Sequence, residues 1–204
     1  MIYTLHGWSF SKEVWKNTPF ENAVHLELPG HGESPLKSTE LYELSGEVAS
    51  LLREGSVLVG WSLGATVALL TAALYPEKVR ELYLYAPTPL FSGFSQPEAV
   101  VKRFLKRLRV SFNDGVNFFR ELFGAQGVNV NLEPERAVNL LNSFCAFDGR
   151  EVFKRVRAPV KIAVGEADEI TGLKGALATF NLVGRSSLKV IPGAGHLTVL
   201  QYAI

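Results

Sequence analysis

The chain has 204 residues, of which 47% are hydrophobic, 11% aromatic and 20% charged. This content excludes an intrinsically disordered chain, and the length is sufficient for one hydrophobic core. Twenty-one Lys and Arg residues against 20 Asp and Glu residues give a net charge of +1, which argues against general nucleic-acid binding.

The single cysteine, Cys145, excludes an internal disulfide framework and a thiolate metal cluster. The first residues lack a basic stretch followed by an apolar one, so we expect no signal peptide. Apolar runs are about strand length and are interrupted by Gly, Pro or charged residues, so we also expect no membrane span. These features predict a cytoplasmic protein.

Short β-branched runs alternate with longer segments of helical period along the chain. Strands are predicted at 2–5, 23–28, 56–60, 81–86, 160–164 and 187–191. Helices are predicted between them at 40–53, 63–75 and 171–181. This alternation predicts an α/β fold with a parallel sheet and helices on both faces. Ligand sites in such sheets lie beyond the carboxyl ends of the strands, so the residues after each strand are candidates for function.

Residues 89–153, hereafter the helical segment, interrupt this alternation. They show no strand pattern, and helices are predicted near 97–110, 113–123, 133–146 and 149–156. The segment is too long for a simple crossover connection, and we expect it to form an all-helical lid over the carboxyl edge of the sheet. The predicted core therefore consists of residues 1–88 and 154–204, with the lid inserted at 89–153.

The pentapeptide Gly60-Trp61-Ser62-Leu63-Gly64 fits the pattern G-x-S-x-G between a predicted strand and a predicted helix. Its glycines permit a tight strand-to-helix turn that lifts the Ser62 hydroxyl out of the sheet. We therefore predict that Ser62 is a catalytic nucleophile. The alternative is a glycine-rich turn with a capping serine.

A nucleophilic serine needs a base, and the base needs an orienting carboxylate. Among four histidines, His196 follows the last predicted strand in a glycine-rich loop and is the predicted base. His25 lies within a strand and is expected to be structural. His31 lies in a turn and is expected to shape the rim of the site.

Three acidic residues follow the fifth predicted strand, namely Glu166, Asp168 and Glu169. Asp168 is the predicted orienting carboxylate because a G-x-x-D spacing places it three residues after Gly165. The two glutamates are expected to be solvated loop acids.

The first predicted strand ends in His6-Gly7-Trp8. An acyl-transfer site needs two backbone donors aimed at the developing oxyanion. We predict that these donors are the N–H groups of Trp8 and Leu63, the latter at the start of a helix. His6 is then expected to fix the loop that carries Trp8.

Taken together, these motifs resemble the α/β-hydrolase superfamily over almost the whole chain. They are His6-Gly7-Trp8, the stretch Leu-Pro-Gly-His-Gly-Glu-Ser at 28–34, the pentapeptide at 60–64, Asp168 and Gly195-His196. The order Ser, Asp, His along the chain is also the one expected of that superfamily.

A narrower resemblance is to the pimeloyl-acyl-carrier-protein methyl ester esterase family of biotin biosynthesis. It is carried by His6-Gly7-Trp8 with Val14-Trp15, by the Gly-Trp-Ser-Leu-Gly pentapeptide, by Pro76-Glu77-Lys78-Val79 and by Ala-Pro-Thr-Pro-Leu-Phe-Ser at 86–92. The resemblance implies hydrolysis of a methyl ester at the far end of a pimeloyl chain on acyl carrier protein, with no cofactor and no metal. The residues also leave open a general short-chain esterase, a thioesterase or a C–C hydrolase, and a non-catalytic ligand-binding protein of the same fold.

The chain departs from that family at both ends. The family usually has two further strands before the one ending in His-Gly-Trp, and a longer final helix after the position of His196. We therefore expect a trimmed sheet of six parallel strands in the spatial order 2-1-3-4-5-6. Its edges would be open to a partner chain.

The predicted helix at 97–110 has the clearest charge pattern. Its apolar residues share one face by helical spacing: Val101, Phe104, Leu105 and Leu108. Most other positions are basic: Lys102, Arg103, Lys106, Arg107 and Arg109. With Glu98 they give residues 97–109 a net charge of +4, which leaves −3 for the rest of the chain. We predict a docking surface for an acidic acyl carrier protein; the alternatives are a solvated helix face and contact with an anionic membrane surface.

Overall fold

The computed structural model describes all 204 residues, and a six-stranded parallel sheet forms its centre. The strands in chain order are β1 (Ile2–Leu5), β2 (Val24–Leu26), β3 (Ser56–Trp61), β4 (Val79–Tyr85), β5 (Val160–Gly165) and β6 (Ser186–Ile191). Their spatial order is β2-β1-β3-β4-β5-β6, and every neighbouring pair is parallel. The predicted fold class and strand order are therefore confirmed.

Six α-helices accompany the sheet. Three connect its strands: α1 (Leu41–Leu51), α2 (Leu63–Leu74) and α6 (Gly172–Leu182). The other three lie in the helical segment: α3 (Glu98–Val110), α4 (Phe112–Glu121) and α5 (Pro134–Ala146). None of these helices combines the length and the apolar character that crossing a membrane requires.

The central helix α2 is buried along nearly its whole length, from Leu63 to Ala73. Its many Ala and Gly residues allow close packing on the sheet, and Leu69 and Leu70 are fully enclosed. Burial of each such leucine contributes about 2 kcal/mol to stability. Because α2 follows β3 after one residue, this packing fixes the position of the strand-to-helix turn.

The two faces of the sheet are covered by different kinds of structure. Leu58 faces the larger core cluster, which contains residues of α1, α2 and α6. Its neighbours Val57 and Val59 face a smaller cluster on the other side. There the cover consists of loops and two short 3₁₀ helices, Lys12–Trp15 and Thr198–Gln201.

Two predicted elements differ most from those observed, and β4 also begins two residues earlier than predicted. β2 ends at Leu26 instead of residue 28, because Glu27 turns inward and accepts the Glu33 N–H at 2.8 Å, while the Leu28 N–H donates to a side chain outside the sheet. The predicted helix at 149–156 is only a 3₁₀ turn, Val152–Arg155. It lies between Asp148, which forms a bridge with Leu90, and Val156, whose extended backbone ends the turn.

The helical segment contacts the rest of the protein at the carboxyl edge of the sheet. The Trp8 indole N–H donates to the carbonyl oxygen of Ala137 in α5 at 2.8 Å. The ring of Trp8 also packs edge-to-face against Phe104 of α3 and Phe119 of α4. All three helices of the segment thus contact the loop that follows β1.

Candidate active site

Ser62 lies in the turn between β3 and α2 with a backbone conformation that serine rarely adopts, at φ 55° and ψ −120°. The turn is so tight that a Cβ atom added to Gly60 would lie only 2.5 Å from the Gly64 carbonyl oxygen. A side chain on Gly64 would in turn lie 2.4 Å from the His6 carbonyl oxygen. Only glycine fits at these two positions, which explains their place in the G-x-S-x-G pattern.

Ser62, His196 and Asp168 form a continuous hydrogen-bonded series. The Ser62 Oγ lies 3.0 Å from His196 Nε2, and His196 Nδ1 lies 2.9 Å from Asp168 Oδ2. All three residues are buried, with Ser62 and Asp168 8% exposed and His196 3% exposed. The structure therefore brings together three residues that are far apart in the sequence, in the arrangement that a nucleophile, a base and an orienting acid require.

Asp168 is held as a charged acceptor. Its Oδ1 accepts the N–H groups of Ile170 and Thr171 at 2.8 and 3.2 Å, and its Oδ2 accepts the Thr171 hydroxyl at 3.1 Å. Burial favours the neutral acid, but His196 and the surrounding donors together outweigh it and lower the pKa of Asp168. Sequence reasoning missed the contribution of Thr171, which has no motif of its own.

The two competing acids do not contact His196. Glu166 is exposed and accepts the Gly193 N–H at 3.1 Å, which braces the loop before the histidine. Glu169 is exposed, and its side chain makes no hydrogen bond. Asp168 is the carboxylate that reaches the imidazole.

Two aromatic rings fix His196. Trp61 donates its indole N–H to the His196 carbonyl oxygen at 2.9 Å, and its ring centroid lies 5.3 Å from that of the imidazole. Phe123 of the helical segment packs against the imidazole with centroids 5.8 Å apart. Because Trp61 lies within the pentapeptide, the sequence could have predicted its place near the site. No motif in the sequence includes Phe123.

His6 and His31 are buried and neutral, with ring centroids 5.4 Å apart. Burial lowers the pKa of His6 to about 4 and, together with the neighbouring His6, that of His31 to about 3. Each Nδ1 donates to a backbone carbonyl, and each Nε2 accepts a backbone N–H, those of Leu28 and Ser9 respectively. His6 therefore has the loop-fixing geometry expected, whereas His31 lies beneath the loop instead of at a rim. His25 is half-buried and hydrogen-bonds Thr4 at 2.7 Å, as expected of a structural residue.

The two predicted oxyanion donors belong to Trp8, which follows Gly7 in the loop after β1, and to Leu63, which follows Ser62. A side chain on Gly7 would lie 3.3 Å from the Ser62 Cβ, so the loop after β1 passes directly beside the serine. The Trp8 N–H donates to no group of the protein. Leu63 is the first residue of α2, so its N–H has no partner one turn earlier in that helix.

Two pockets adjoin this arrangement. One, of about 260 Å³, is mainly apolar and is lined by phenylalanines of the helical segment, among them Phe104 and Phe119. The other, of about 300 Å³, is lined by His196 and Phe123. The two pockets are neighbours, because Leu122, Glu169 and Ile170 line both of them, and His196 lines only the second.

The five basic residues predicted on α3 are all exposed: Lys102, Arg103, Lys106, Arg107 and Arg109. Lys102 pairs with Glu98 at 3.1 Å, and Arg107 lies over the ring of Phe118 at 4.2 Å. The opposite face of α3 contributes Val101 and Phe104 to the apolar pocket. One helix therefore presents a basic surface to solvent and an apolar surface to the site.

Comparison with known proteins places the chain in a family. A family model described as "Alpha/beta hydrolase family" matches residues 2–203. A pimeloyl-[acyl-carrier protein] methyl ester esterase of Salmonella paratyphi A is 28% identical over 98% of this chain and 88% of its own length. The biotin biosynthesis bifunctional protein BioHC of Teredinibacter turnerae is 24% identical over 96% of this chain, which spans 41% of that longer protein.

Solved structures show the same fold at lower sequence identity. A hydrolase from Oleispira antarctica superposes with a TM-score of 0.85 at 15% identity, covering 98% of this chain and 85% of its own. An esterase from Exiguobacterium antarcticum gives a TM-score of 0.79 at 18% identity, covering 96% and 84%. With the family match over nearly the whole chain, these findings lead to one conclusion: the chain belongs to the alpha/beta hydrolase family and is a hydrolase.

Proposed function

We propose that this protein is a serine carboxylesterase that works through an acyl-enzyme on Ser62. The observation that carries the proposal is the series Ser62–His196–Asp168, with contacts of 3.0 and 2.9 Å. An unreactive hydroxyl becomes a nucleophile when a neighbouring imidazole can take its proton. The buried carboxylate then keeps the imidazole oriented and stabilises its charged form.

These three residues, the ester and water account for every proton transfer and every bond that forms or breaks in the reaction. The Ser62 Oγ attacks the ester carbonyl carbon while its proton moves to His196 Nε2. Collapse of the tetrahedral intermediate breaks the bond to the leaving alcohol, which takes that proton. A water molecule then attacks the acyl-enzyme and gives its proton to His196. The product leaves as a carboxylic acid, and the Ser62 hydroxyl is restored.

The tetrahedral intermediates carry a negative charge on the former carbonyl oxygen. The N–H groups of Trp8 and Leu63 are the proposed donors to this oxyanion. Removing one donor from such a site costs about 10²–10³ in rate in other hydrolases. The Leu63 donor also lies at the N-terminus of α2, where the helix dipole favours an anion.

The proposed substrate is the methyl ester of pimeloyl-acyl-carrier protein, with methanol as the leaving alcohol. The 28% identical relative carries this activity in its name, and the apolar pocket of about 260 Å³ offers room for an acyl chain. The basic surface of α3 suits an acidic carrier, and the helical segment would act as a lid that holds both features. A general short-chain esterase, a thioesterase or a C–C hydrolase would use the same three residues and differs only in substrate.

The nucleophile is tested with Ser62→Ala. We expect hydrolysis of a p-nitrophenyl ester to fall at least about 10³-fold, because the acyl-enzyme can no longer form. The matched control is Ser187→Ala, which removes an exposed hydroxyl on β6 and should leave the rate unchanged. Full activity in Ser62→Ala would reject the mechanism. If the protein is non-catalytic, neither the wild-type protein nor Ser62→Ala will hydrolyse the ester.

The substrate is tested separately. Expression of the chain in a biotin-requiring strain that lacks its own esterase should restore growth without biotin, and Ser62→Ala should not. Purified protein should release methanol from the carrier-linked ester. Activity on p-nitrophenyl esters together with failure in both of these assays would favour the general esterase.

A further inference from the structure

Three consecutive peptide groups of the loop after β1 are each held by a buried side chain. His6 Nδ1 donates at 2.8 Å to the carbonyl oxygen of the peptide group that carries the Trp8 N–H. The Ser9 N–H, in the next peptide group, donates to His31 Nε2 at 3.0 Å. The Ser9 carbonyl oxygen, in the third, accepts a hydrogen bond from Arg120 Nη2. The orientation of the Trp8 N–H therefore depends on this set of contacts.

The conformation of Ser9 needs such support. Its φ of 67° lies in the left-handed region, which serine adopts at a cost. His31 binds the N–H of this residue, and Arg120 binds its carbonyl oxygen, so the two buried side chains hold it from both ends. Loss of either contact would let the backbone at Ser9 relax and would rotate the adjoining peptide groups.

Arg120 is an unusual residue to find in this place. It is only 6% exposed, and no carboxylate lies within ion-pair distance. Its other hydrogen bond goes to the Val128 carbonyl oxygen, and its Nε has no partner. A buried guanidinium without a carboxylate partner is costly, and burial lowers its pKa. The contacts that offset this cost are the two carbonyl oxygens and the ring of Phe10, whose centroid lies 5.7 Å from the Arg120 Cζ.

Arg120 and the two histidines lie in different parts of the structure. His6 directly follows β1 and His31 follows β2, so both belong to the sheet region of the protein. Arg120 lies in α4 of the helical segment and reaches the loop across the interface between them. The same α4 leads to Phe123, which packs against His196.

We propose that Arg120 is a positioning residue that couples the packing of the helical segment to the orientation of the Trp8 N–H. With α4 in place, the guanidinium fixes Ser9 and completes the oxyanion site. With α4 displaced, the loop loses one of its three supports. This inference rests on the proposed function, because the oxyanion forms only if Ser62 attacks a carbonyl.

The test compares Arg120→Met and Arg120→Lys with the wild-type protein on a p-nitrophenyl ester. Methionine keeps an unbranched apolar stem without the guanidinium donors, and we expect kcat to fall about tenfold or more while KM stays within about twofold. Lysine keeps a charged donor but lacks the planar fork whose two nitrogens bond the two carbonyl groups, and we expect a smaller fall, about threefold or more. The matched control is Arg150→Met, which removes an exposed arginine of the same segment and should keep the wild-type kcat.

A second measurement does not depend on turnover. Backbone amide resonances of Trp8, Ser9 and Phe10 should shift in Arg120→Lys and remain in place in Arg150→Met. A folded Arg120→Met with wild-type kcat would overturn the proposal. An Arg120→Lys protein with wild-type kcat and unmoved resonances would also overturn the proposal. This variant provides the test if Arg120→Met does not fold. If Ser62→Ala retains activity, the proposed function fails; if Ser62→Ala is inactive and the Arg120 variants are not slower, only the positioning role fails.

Discussion

Trp61 donates its indole N–H to the carbonyl oxygen of His196 across 135 positions of sequence, at 2.9 Å. The tryptophan immediately precedes Ser62, so the residue beside the nucleophile holds the backbone of the base. Its ring also packs edge-to-face against Phe10, with centroids 5.0 Å apart. The strand-to-helix turn and the loop after β6 are thus joined by a hydrogen bond that does not involve the reacting atoms.

Replacing this tryptophan tests how strongly the link positions the base. Trp61→Phe keeps an aromatic ring but leaves the buried His196 carbonyl oxygen without its donor. We expect a loss of stability of about 1–3 kcal/mol and a fall in kcat on the order of tenfold. Chemical denaturation and p-nitrophenyl ester kinetics measure the two effects.

The chain offers a matched control for that variant. Trp15 is also fully buried, but its indole N–H has no hydrogen-bond partner. Trp15→Phe therefore makes the same change in size without removing a hydrogen bond, and kcat should remain at the wild-type value. Equal kcat in the two variants would show that the link to His196 has no role in catalysis.

A second prediction concerns the orienting acid. Asp168→Asn keeps the shape of the side chain but replaces one acceptor oxygen with an NH₂ group. In one orientation the NH₂ group faces His196 Nδ1, and in the other it faces the donors of Ile170 and Thr171. We expect kcat to fall by about 10⁴-fold, as the same change does in a serine protease. The fold should survive, as judged by circular dichroism.

Glu166→Gln is the companion variant for this measurement. Glu166 follows the same strand but contacts the Gly193 N–H instead of the imidazole. Its kcat should stay within about threefold of wild type, since a neutral amide oxygen can still accept that N–H. A large loss in Glu166→Gln with an active Asp168→Asn would move the role of acid to Glu166.

The sequence was sufficient for the sheet because its signals are local. The β-branched runs, the G-x-S-x-G turn and the spacing of Asp168 after β5 each depend on a few neighbouring residues. The same holds for the amphipathic pattern of α3, whose Val101 and Leu108 are buried as expected.

The contacts that the sequence did not reveal are long-range and lack a pattern. Arg120 looks like any basic residue of an amphipathic helix, and only the packing of α4 shows that it is buried against Ser9. His31 was expected at a rim because it lies in a turn rich in glycine. Its burial follows from the cover provided by the chain around Leu132, with which it forms a bridge.

A third prediction concerns the basic surface of α3. Replacing Lys102, Arg103, Lys106 and Arg107 together by Ala removes four exposed positive charges. If this surface docks an acidic carrier, kcat/KM for the carrier-linked ester should fall about tenfold or more and lose much of its salt dependence. Hydrolysis of a p-nitrophenyl ester should stay within about twofold, because that substrate has no carrier.

The control for this experiment removes the same amount of charge elsewhere. Arg150, Lys154, Arg155 and Arg157 are also exposed, and their joint replacement by Ala changes the net charge equally. Carrier-linked turnover should then remain close to wild type. An equal loss in both quadruple variants would indicate a general effect of charge, and no loss in either would reject docking on α3.

The last prediction follows from the two buried histidines. Burial lowers the pKa of His6 to about 4 and that of His31 to about 3, from 6.5 for a free histidine. Between these values the unfolded chain binds more protons than the folded one, so stability falls as the pH drops below about 6.5 and continues to fall to about pH 3–4. From pH 7.5 to 5 each histidine should account for a loss of about 2 kcal/mol.

His31→Gln, whose amide oxygen can still accept the Ser9 N–H, should be less stable than the wild-type protein at neutral pH. Over that pH interval, however, its free energy of unfolding in urea titrations should fall by about 2 kcal/mol less than that of the wild-type protein. An equal slope in the wild-type protein and in His31→Gln would contradict the assignment of neutral, buried histidines beneath the loop.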